Sequence, residues 1–108
     1  DCGRMVNPDT VEAQIQSSIV FGLTAALYGD ITLDKGRVQQ TNFHDYRLLR
    51  MNEMPVLETF LLPSTEKPGG MGEPATATIG PAVGNAIFAA TGKRLRKMPF
   101  TPENIAAA

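Results

Sequence analysis

Between Pro63 and Pro74 the chain reads PSTEKPGGMGEP, and three prolines with three glycines in twelve residues keep any regular helix or strand from crossing it. The stretch therefore divides the chain into two structured parts joined by a long irregular loop. Glycines admit positive φ and let a backbone or ligand approach closely, at a cost in conformational entropy on folding. Loops of this length inside a compact domain are usually functional or disordered. This one presents a single carboxylate, Glu73, held between Gly72 and Pro74. A loop so permissive around one acid points to a site.

Upstream of the loop, NPDTVEAQIQSSIVFGLTAALYGD carries the marks of a helix. Asn7 is an N-cap, Pro8 fits the first helical position, Asp9 and Glu12 suit the positive end of the dipole, and Gly29 closes the far end. Val11, Ile15, Ile19 and Leu23 recur every four residues, and Ser18, Gly22 and Ala26 form an adjoining small-residue stripe. The helix is expected to be largely buried, so Gln14 and Gln16 need hydrogen-bond partners. DITLDKGRVQQTNF alternates about an Asp34-Lys35-Gly36 turn and predicts a β-hairpin. HDYRLLRMNEMP has no clean period, and Val56 to Pro63 (VLETFLLP) predicts a second strand.

Beyond the loop, PAVGNAIFAATG predicts a helix with Pro81 near its first turn, Val83, Ile87 and Ala90 on one face, and Gly92 as its cap. KRLRKMPF predicts a short strand, and Thr101 with Pro102 opens a last capped turn. The fold class is α+β: two main helices packed on a small, mostly antiparallel sheet in a single domain spanning residues 1–108.

With 43% hydrophobic and 19% charged residues, the chain has the makings of one globular domain, and at this length it is expected to bury roughly two thirds of its unfolded surface. Ten basic against eleven acidic residues leave a net charge of -1, which gives no electrostatic reason to expect nucleic acid or an anionic membrane as partner. No run reaches the length of a membrane-spanning helix, and no signal peptide opens the chain. The lone cysteine, Cys2, excludes an internal disulfide framework and a cysteine-based zinc site, and reads as a buried small hydrophobe. The chain opens on Asp1 without an initiator methionine and reads as a piece of something longer.

Several residues have two readings. The glycine loop lacks the Gly-Lys-Ser/Thr ending of a phosphate loop, so a nucleotide reading is weak. Glu73 is, on composition alone, a turn carboxylate or a residue at the positive end of a following helix. His44 stands beside Asp45, but sequence neighbours seldom face each other and no second histidine exists for a metal, so a structural or surface histidine is favoured. Lys93, Arg94, Arg96 and Lys97 read as the solvated face of an edge strand, and Met51 and Met54 as core or interface fillers. No residue is assigned as a metal ligand.

Taken in order, DCGRMVNP, VEAQIQSSIVFGLTAALYG, NFHDYRLLRMNEMP and GGMGEP followed by PAVGNAIFAATGKRL resemble the C-terminal end of the molybdopterin-binding large subunit of the xanthine dehydrogenase and aldehyde oxidase family. The wording is most similar to the bacterial isoquinoline 1-oxidoreductase β-subunit branch, which also holds membrane-linked aldehyde dehydrogenases. The resemblance implies a molybdenum-molybdopterin cofactor, Glu73 as the catalytic base beside it, and Gly70, Met71 and Gly72 as the backbone wall of the site. It also implies that Gln14 reaches the cofactor from a buried helix, although Ala13 and Gln16-Ser17 depart from the family's Gly-Gln-x-Glu-Gly pattern; a glutamine hydrogen-bonded within its own core is the alternative.

The same resemblance implies oxidation of an aldehyde or N-heterocycle with water-derived oxygen. Its implied partners are the remainder of the large subunit, a small subunit with two 2Fe-2S clusters and, in this branch, a cytochrome c subunit. The branch implies a periplasmic or membrane-associated location, with a cytoplasmic one as alternative. The 108 residues alone are expected to be inactive, because the site draws on distant segments and one cysteine cannot hold such clusters. Alternatives are a non-catalytic interaction module, including a homodimer formed through exposed apolar faces, and a small ligand-binding domain with Glu73 in its pocket.

Overall fold

In a computed structural model, which describes all 108 residues, helix α1 spans Pro8–Leu27, followed by strands β1 (Leu33–Asp34) and β2 (Arg37–Val38). A single 3-10 turn at Met51–Glu53, helix α2 over Pro74–Thr91 and helix α3 over Pro102–Ala107 complete the chain. The class is α+β, with three helices and one small two-stranded antiparallel sheet.

Local chemistry accounts for most element ends. The Asn7 side chain accepts from the Thr10 N–H at 3.3 Å, with Pro8 opening α1, and the Thr101 hydroxyl accepts from the Asn104 N–H at 3.2 Å to start α3. Gly92, at φ 74°, ends α2 by donating to the Phe88 carbonyl at 2.8 Å. In the hairpin Leu33 stands opposite Val38, and Lys35 and Gly36 both take positive φ, as a two-residue turn matched to strand twist requires.

Four expectations need correction. First, α2 begins at Pro74, not near Pro81, which lies inside it. Glu73 is the N-cap and Pro74 the first helical residue, where a missing N–H costs nothing; the interior Pro81 leaves the Ala77 carbonyl without its helical donor. Second, neither Val56 to Pro63 nor Lys93 to Phe100 joins a sheet: the first makes no backbone hydrogen bond at all, and the second bonds to helix α1 only through the Phe100 N–H. Third, Gly29 closes α1 without left-handed backbone; it instead makes room for the Tyr46 hydroxyl, which lies 3.0 Å from where a Cβ would stand. Fourth, Met51 is 95% exposed, which removes the core half of its core-or-interface reading and leaves the interface half.

The two long helices pack chiefly on each other. Thr76 Oγ1 donates to the Ser18 carbonyl at 3.2 Å across the contact, where Gly22 and Ile79 also meet. The core is thin. It centres on Leu23, the fully buried Ala26, and Phe100, whose N–H donates to the Ala26 carbonyl at 2.7 Å and whose ring lies on Gly84. Val11, Ile15 and Ile19 are only half-buried and Gln14 is exposed, so α1 is less enclosed than its spacing predicts.

The dimensions agree with this. The radius of gyration is 16.7 Å, against about 13 Å for a compact chain of this length. The accessible surface of 8050 Å² exceeds the roughly 5800 Å² of a compact monomer of this mass, so about half of the unfolded surface is buried instead of the two thirds expected.

A polar clasp fixes the segment after the hairpin to the end of α1. The Tyr28 hydroxyl donates to Glu53 Oε1 at 2.6 Å, and Arg47 pairs with the same carboxylate while its guanidinium lies 4.0 Å from the Tyr28 ring centre. The Arg50 N–H donates to Glu53 Oε2 at 2.9 Å, and the Leu49 N–H to Thr24 Oγ1 at 3.2 Å. The Tyr28 hydroxyl, then the Arg50 N–H, hold the Glu53 carboxyl below the usual glutamate range. The same hydrogen bond raises the Tyr28 phenol.

Candidate functional site

The site begins with the seven residues before α1. Gly3 has φ +75°, and a Cβ on it would stand 2.2 Å from the Lys67 carbonyl oxygen. Only glycine satisfies both conditions. Around it, the Arg4 N–H donates to the Glu66 carbonyl at 3.0 Å and the Gly69 N–H to the Cys2 carbonyl at 2.8 Å. The N-terminal segment is thereby stitched to the loop, and the two together form walls against the first turns of α1.

Between these walls lies an open cleft of about 420 Å³. Asn7, Thr10 and Gln14 line it from α1 and its cap, Arg4 from the N-terminal segment, and Gly69 and Met71 from the loop. Gln14 and Met71, both expected at the site, share this cleft. Gln14 is exposed and its amide has no hydrogen-bond partner within the chain, which removes the reading of a glutamine satisfied in its own core.

The other three expected residues do not line the cleft. Glu73 sits two residues beyond Met71, at the positive end of the α2 dipole; its carboxylate makes no capping bond, and its carbonyl accepts from the Thr76 N–H at 3.1 Å. A Cβ on Gly70 or Gly72 would meet nothing within 4 Å, so the chain's own packing does not demand these glycines. The backbone N–H groups of Gly70, Met71 and Gly72 have no partner in the chain. The Gln14 amide and the Glu73 carboxylate are likewise unused within the chain, so polar groups without partners stand both on the cleft (Gln14, Met71) and on the loop that leaves it (Gly70, Gly72, Glu73). Such a set suits an oxygen- and nitrogen-rich organic ligand, with backbone donors for its anionic oxygens. Molybdopterin fits that description, and no group of three or more His, Cys, Asp or Glu side chains gathers as a direct metal-binding set.

The remaining candidates serve the fold. His44 is on the surface, 3.6 Å from Asp45. Asp45 anchors a turn by accepting from the Asn42 and Thr41 N–H groups and the Thr41 hydroxyl, which together hold its carboxyl at about 2. Lys93 Nζ donates to the Ile105 and Ala106 carbonyls at 2.9 and 3.1 Å, and Arg94 lies 3.6 Å from the centre of the Phe88 ring. Sequence reasoning assigned no role to Arg4, Asn7 or Thr10 in the cleft. The one signal available was Gly3, whose conformation brings the N-terminal segment onto the loop.

The molybdopterin cofactor-binding domain family matches residues 1–55, a span that includes Gln14 and ends before the glycine loop. The membrane-bound aldehyde dehydrogenase (pyrroloquinoline-quinone) of Gluconacetobacter polyoxogenes is 42% identical over 105 residues, covering 97% of this chain and 14% of the relative. The isoquinoline 1-oxidoreductase subunit beta of Brevundimonas diminuta is 38% identical over 102 residues, covering 94% and 13%. Among solved structures, quinoline 2-oxidoreductase from Pseudomonas putida 86 superposes with a TM-score of 0.79 at 30% identity, over 99% of this chain and 15% of that one. The chain thus spans about one seventh of the length of the curated relatives it matches.

Proposed function

The chain belongs to the molybdopterin cofactor-binding domain family, and from that premise we propose that residues 1–108 are the C-terminal portion of the large subunit of a molybdenum hydroxylase. The parent enzyme oxidises an aldehyde or an N-heterocycle with oxygen derived from water. The names of the relatives, an aldehyde dehydrogenase and an isoquinoline oxidoreductase, support these two substrate classes. The observation that carries the reading is the set of unused polar groups, Gln14, the loop N–H donors and Glu73, displayed along one cleft and the loop that leaves it.

Each group has a task that its chemistry allows. The Gln14 amide, free to donate and accept at once, hydrogen-bonds the cofactor from the first half of α1. The N–H groups of Gly70, Met71 and Gly72 donate to its polar edge, and the absent side chains of the two glycines permit close approach. Glu73 is the catalytic base and takes the proton from the oxygen nucleophile as substrate is attacked. Molybdenum-molybdopterin, when bound, supplies the two-electron oxidant. Residues 1–108 furnish one wall of this site, which is why they are inactive alone; the rest of the large subunit completes the enclosure and excludes water.

Electrons leave through a small subunit carrying two 2Fe-2S clusters and then a cytochrome c subunit. The assembly is periplasmic or membrane-associated, a reading supported by the relative named as membrane-bound. No helix of this chain is long and apolar enough to cross a membrane.

The test uses the full-length parent complex with and without Glu73→Gln, assayed with an aldehyde and with an N-heterocycle and an artificial electron acceptor. The variant is expected to keep its molybdenum and to lose turnover by roughly two to four orders of magnitude, the usual worth of a general base. Normal turnover in the variant would reduce Glu73 to the cap of α2.

A further inference from the structure

From Val56 to Leu62 the side chains alternate strictly. Val56, Glu58, Phe60 and Leu62 are exposed, while Leu57, Thr59 and Leu61 are half-buried. A period of two is the mark of extended backbone. On one side, Phe60, Leu61 and Leu62 border a small apolar gap shared with Val11, Ile15 and Met71, so the segment rests against α1 and the glycine loop. Yet no N–H or C=O group of residues 56–62 has a hydrogen-bond partner anywhere in the chain.

A solvated loop accounts for bare backbone but not for this composition. Five of the seven residues in VLETFLL are large and apolar, and Val56 and Phe60 on the outer side are 93% and 83% exposed. Near-continuous apolar runs belong to strands covered on both faces. Pro55 and Pro63, which cannot donate to a ladder, bracket the run at its two ends. Unpaired N–H and C=O groups along an apolar extended segment are a template for strand addition.

We propose that residues 56–62 are a β-strand whose ladder is completed by strands from the part of the large subunit outside residues 1–108, with Val56, Phe60 and Leu62 covered in the same assembly. The inference rests on the large-subunit reading above. Relatives about seven times longer than this chain provide ample sequence for such strands. A second copy of the chain fits less well. In extended backbone, successive residues direct their N–H and C=O groups to opposite edges, so a two-fold strand pair satisfies one edge and leaves the other bare. Both edges are unpaired here.

Hydrogen–deuterium exchange of the full-length parent subunit tests this directly. The amides of Leu57 to Leu62 are expected to exchange at least ~100-fold more slowly than unstructured backbone. Glu58→Pro and Thr59→Pro each remove one donor, on opposite edges, and each is expected to lower the protection of the neighbouring amides on its own edge. Exchange at unstructured rates in the wild-type subunit overturns the proposal whether or not the proline variants fold. Protection that disappears on dilution, in step with a dimer-to-monomer change by light scattering, overturns it in favour of a second copy. Molybdenum content of the same sample separates the two readings: protected amides without molybdenum uphold the strand and sink the cofactor assignment, whereas molybdenum with unprotected amides sinks the strand alone.

Discussion

Gly22 of α1 lies so close to Ile79 of α2 that a Cβ on the glycine would stand 2.0 Å from Ile79 Cγ2 and 2.8 Å from the Thr76 carbonyl oxygen. The Thr76 hydroxyl binds the Ser18 carbonyl one turn away, so the helices cannot part locally without losing that bond. Gly22→Ala is therefore expected to destabilise the fold by about 1–3 kcal/mol, in the range of core overpacking. Ile79→Ala relieves the side-chain clash and leaves the carbonyl clash, so the double variant recovers part of the loss. Thermal unfolding of the three variants reads this, and an unchanged melting temperature for Gly22→Ala contradicts the packing described.

Gly3 secures a second close approach between distant residues, to Lys67. Gly3→Ala combines a left-handed backbone with a contact to a carbonyl oxygen far inside van der Waals distance, and a disfavoured backbone region alone costs on the order of 1–3 kcal/mol. The expected result is release of the N-terminal segment, with faster hydrogen exchange at Arg4 and Gly69, the two amides that stitch it to the loop. Retained protection at both would show that the cleft survives without this glycine.

The clasp of Tyr28, Arg47 and Glu53 predicts a two-sided pH dependence. Glu53 is depressed in the fold, so its contribution is complete above the ordinary glutamate value of about 4.3 and is lost as pH falls through the lower folded value. Tyr28 is raised, so its contribution is complete below about pH 10 and is lost as pH rises through the higher folded value. Tyr28→Phe removes the hydrogen bond behind both shifts. Urea midpoints followed across acid and alkaline pH should show both limbs flattened in the variant; limbs identical to wild type would assign the pH dependence to other groups.

Gln14 makes no hydrogen bond within the chain and lies exposed on α1. Gln14→Leu should therefore leave the unfolding temperature nearly unchanged. In the full-length parent it should weaken cofactor retention by about tenfold, the worth of one hydrogen bond between a protein and its ligand. Molybdenum content after dialysis reads the effect, and equal retention would remove Gln14 from the site.

What could be read along the chain was what neighbouring residues determine. Asn7 and Pro8, Thr101 and Pro102, and Gly92 marked helix ends, and Lys35-Gly36 marked the turn of the hairpin, because a cap or turn is settled within four or five residues. The start of α2 was misplaced at Pro81 because GGMGEP reads as loop throughout, although its last two residues are the cap and first position of the helix. Val56 to Leu62 reads as a strand and alternates like one, but pairing is a relation between distant segments and no other part of this chain offers a partner.

The family resemblance, the α+β class and the choice of Gln14 and the glycine loop as candidates came from sequence alone, since motif order and local spacing survive without coordinates. Only the tertiary structure decided that Gln14 and Met71 share a cleft with Arg4, Asn7 and Thr10, while Glu73 caps α2 just outside it. Those placements depend on two close approaches between residues far apart in sequence, Gly3 against Lys67 and Gly22 against Ile79. A glycine's spacing announces that something comes near; which backbone or side chain arrives is settled only when the whole chain packs.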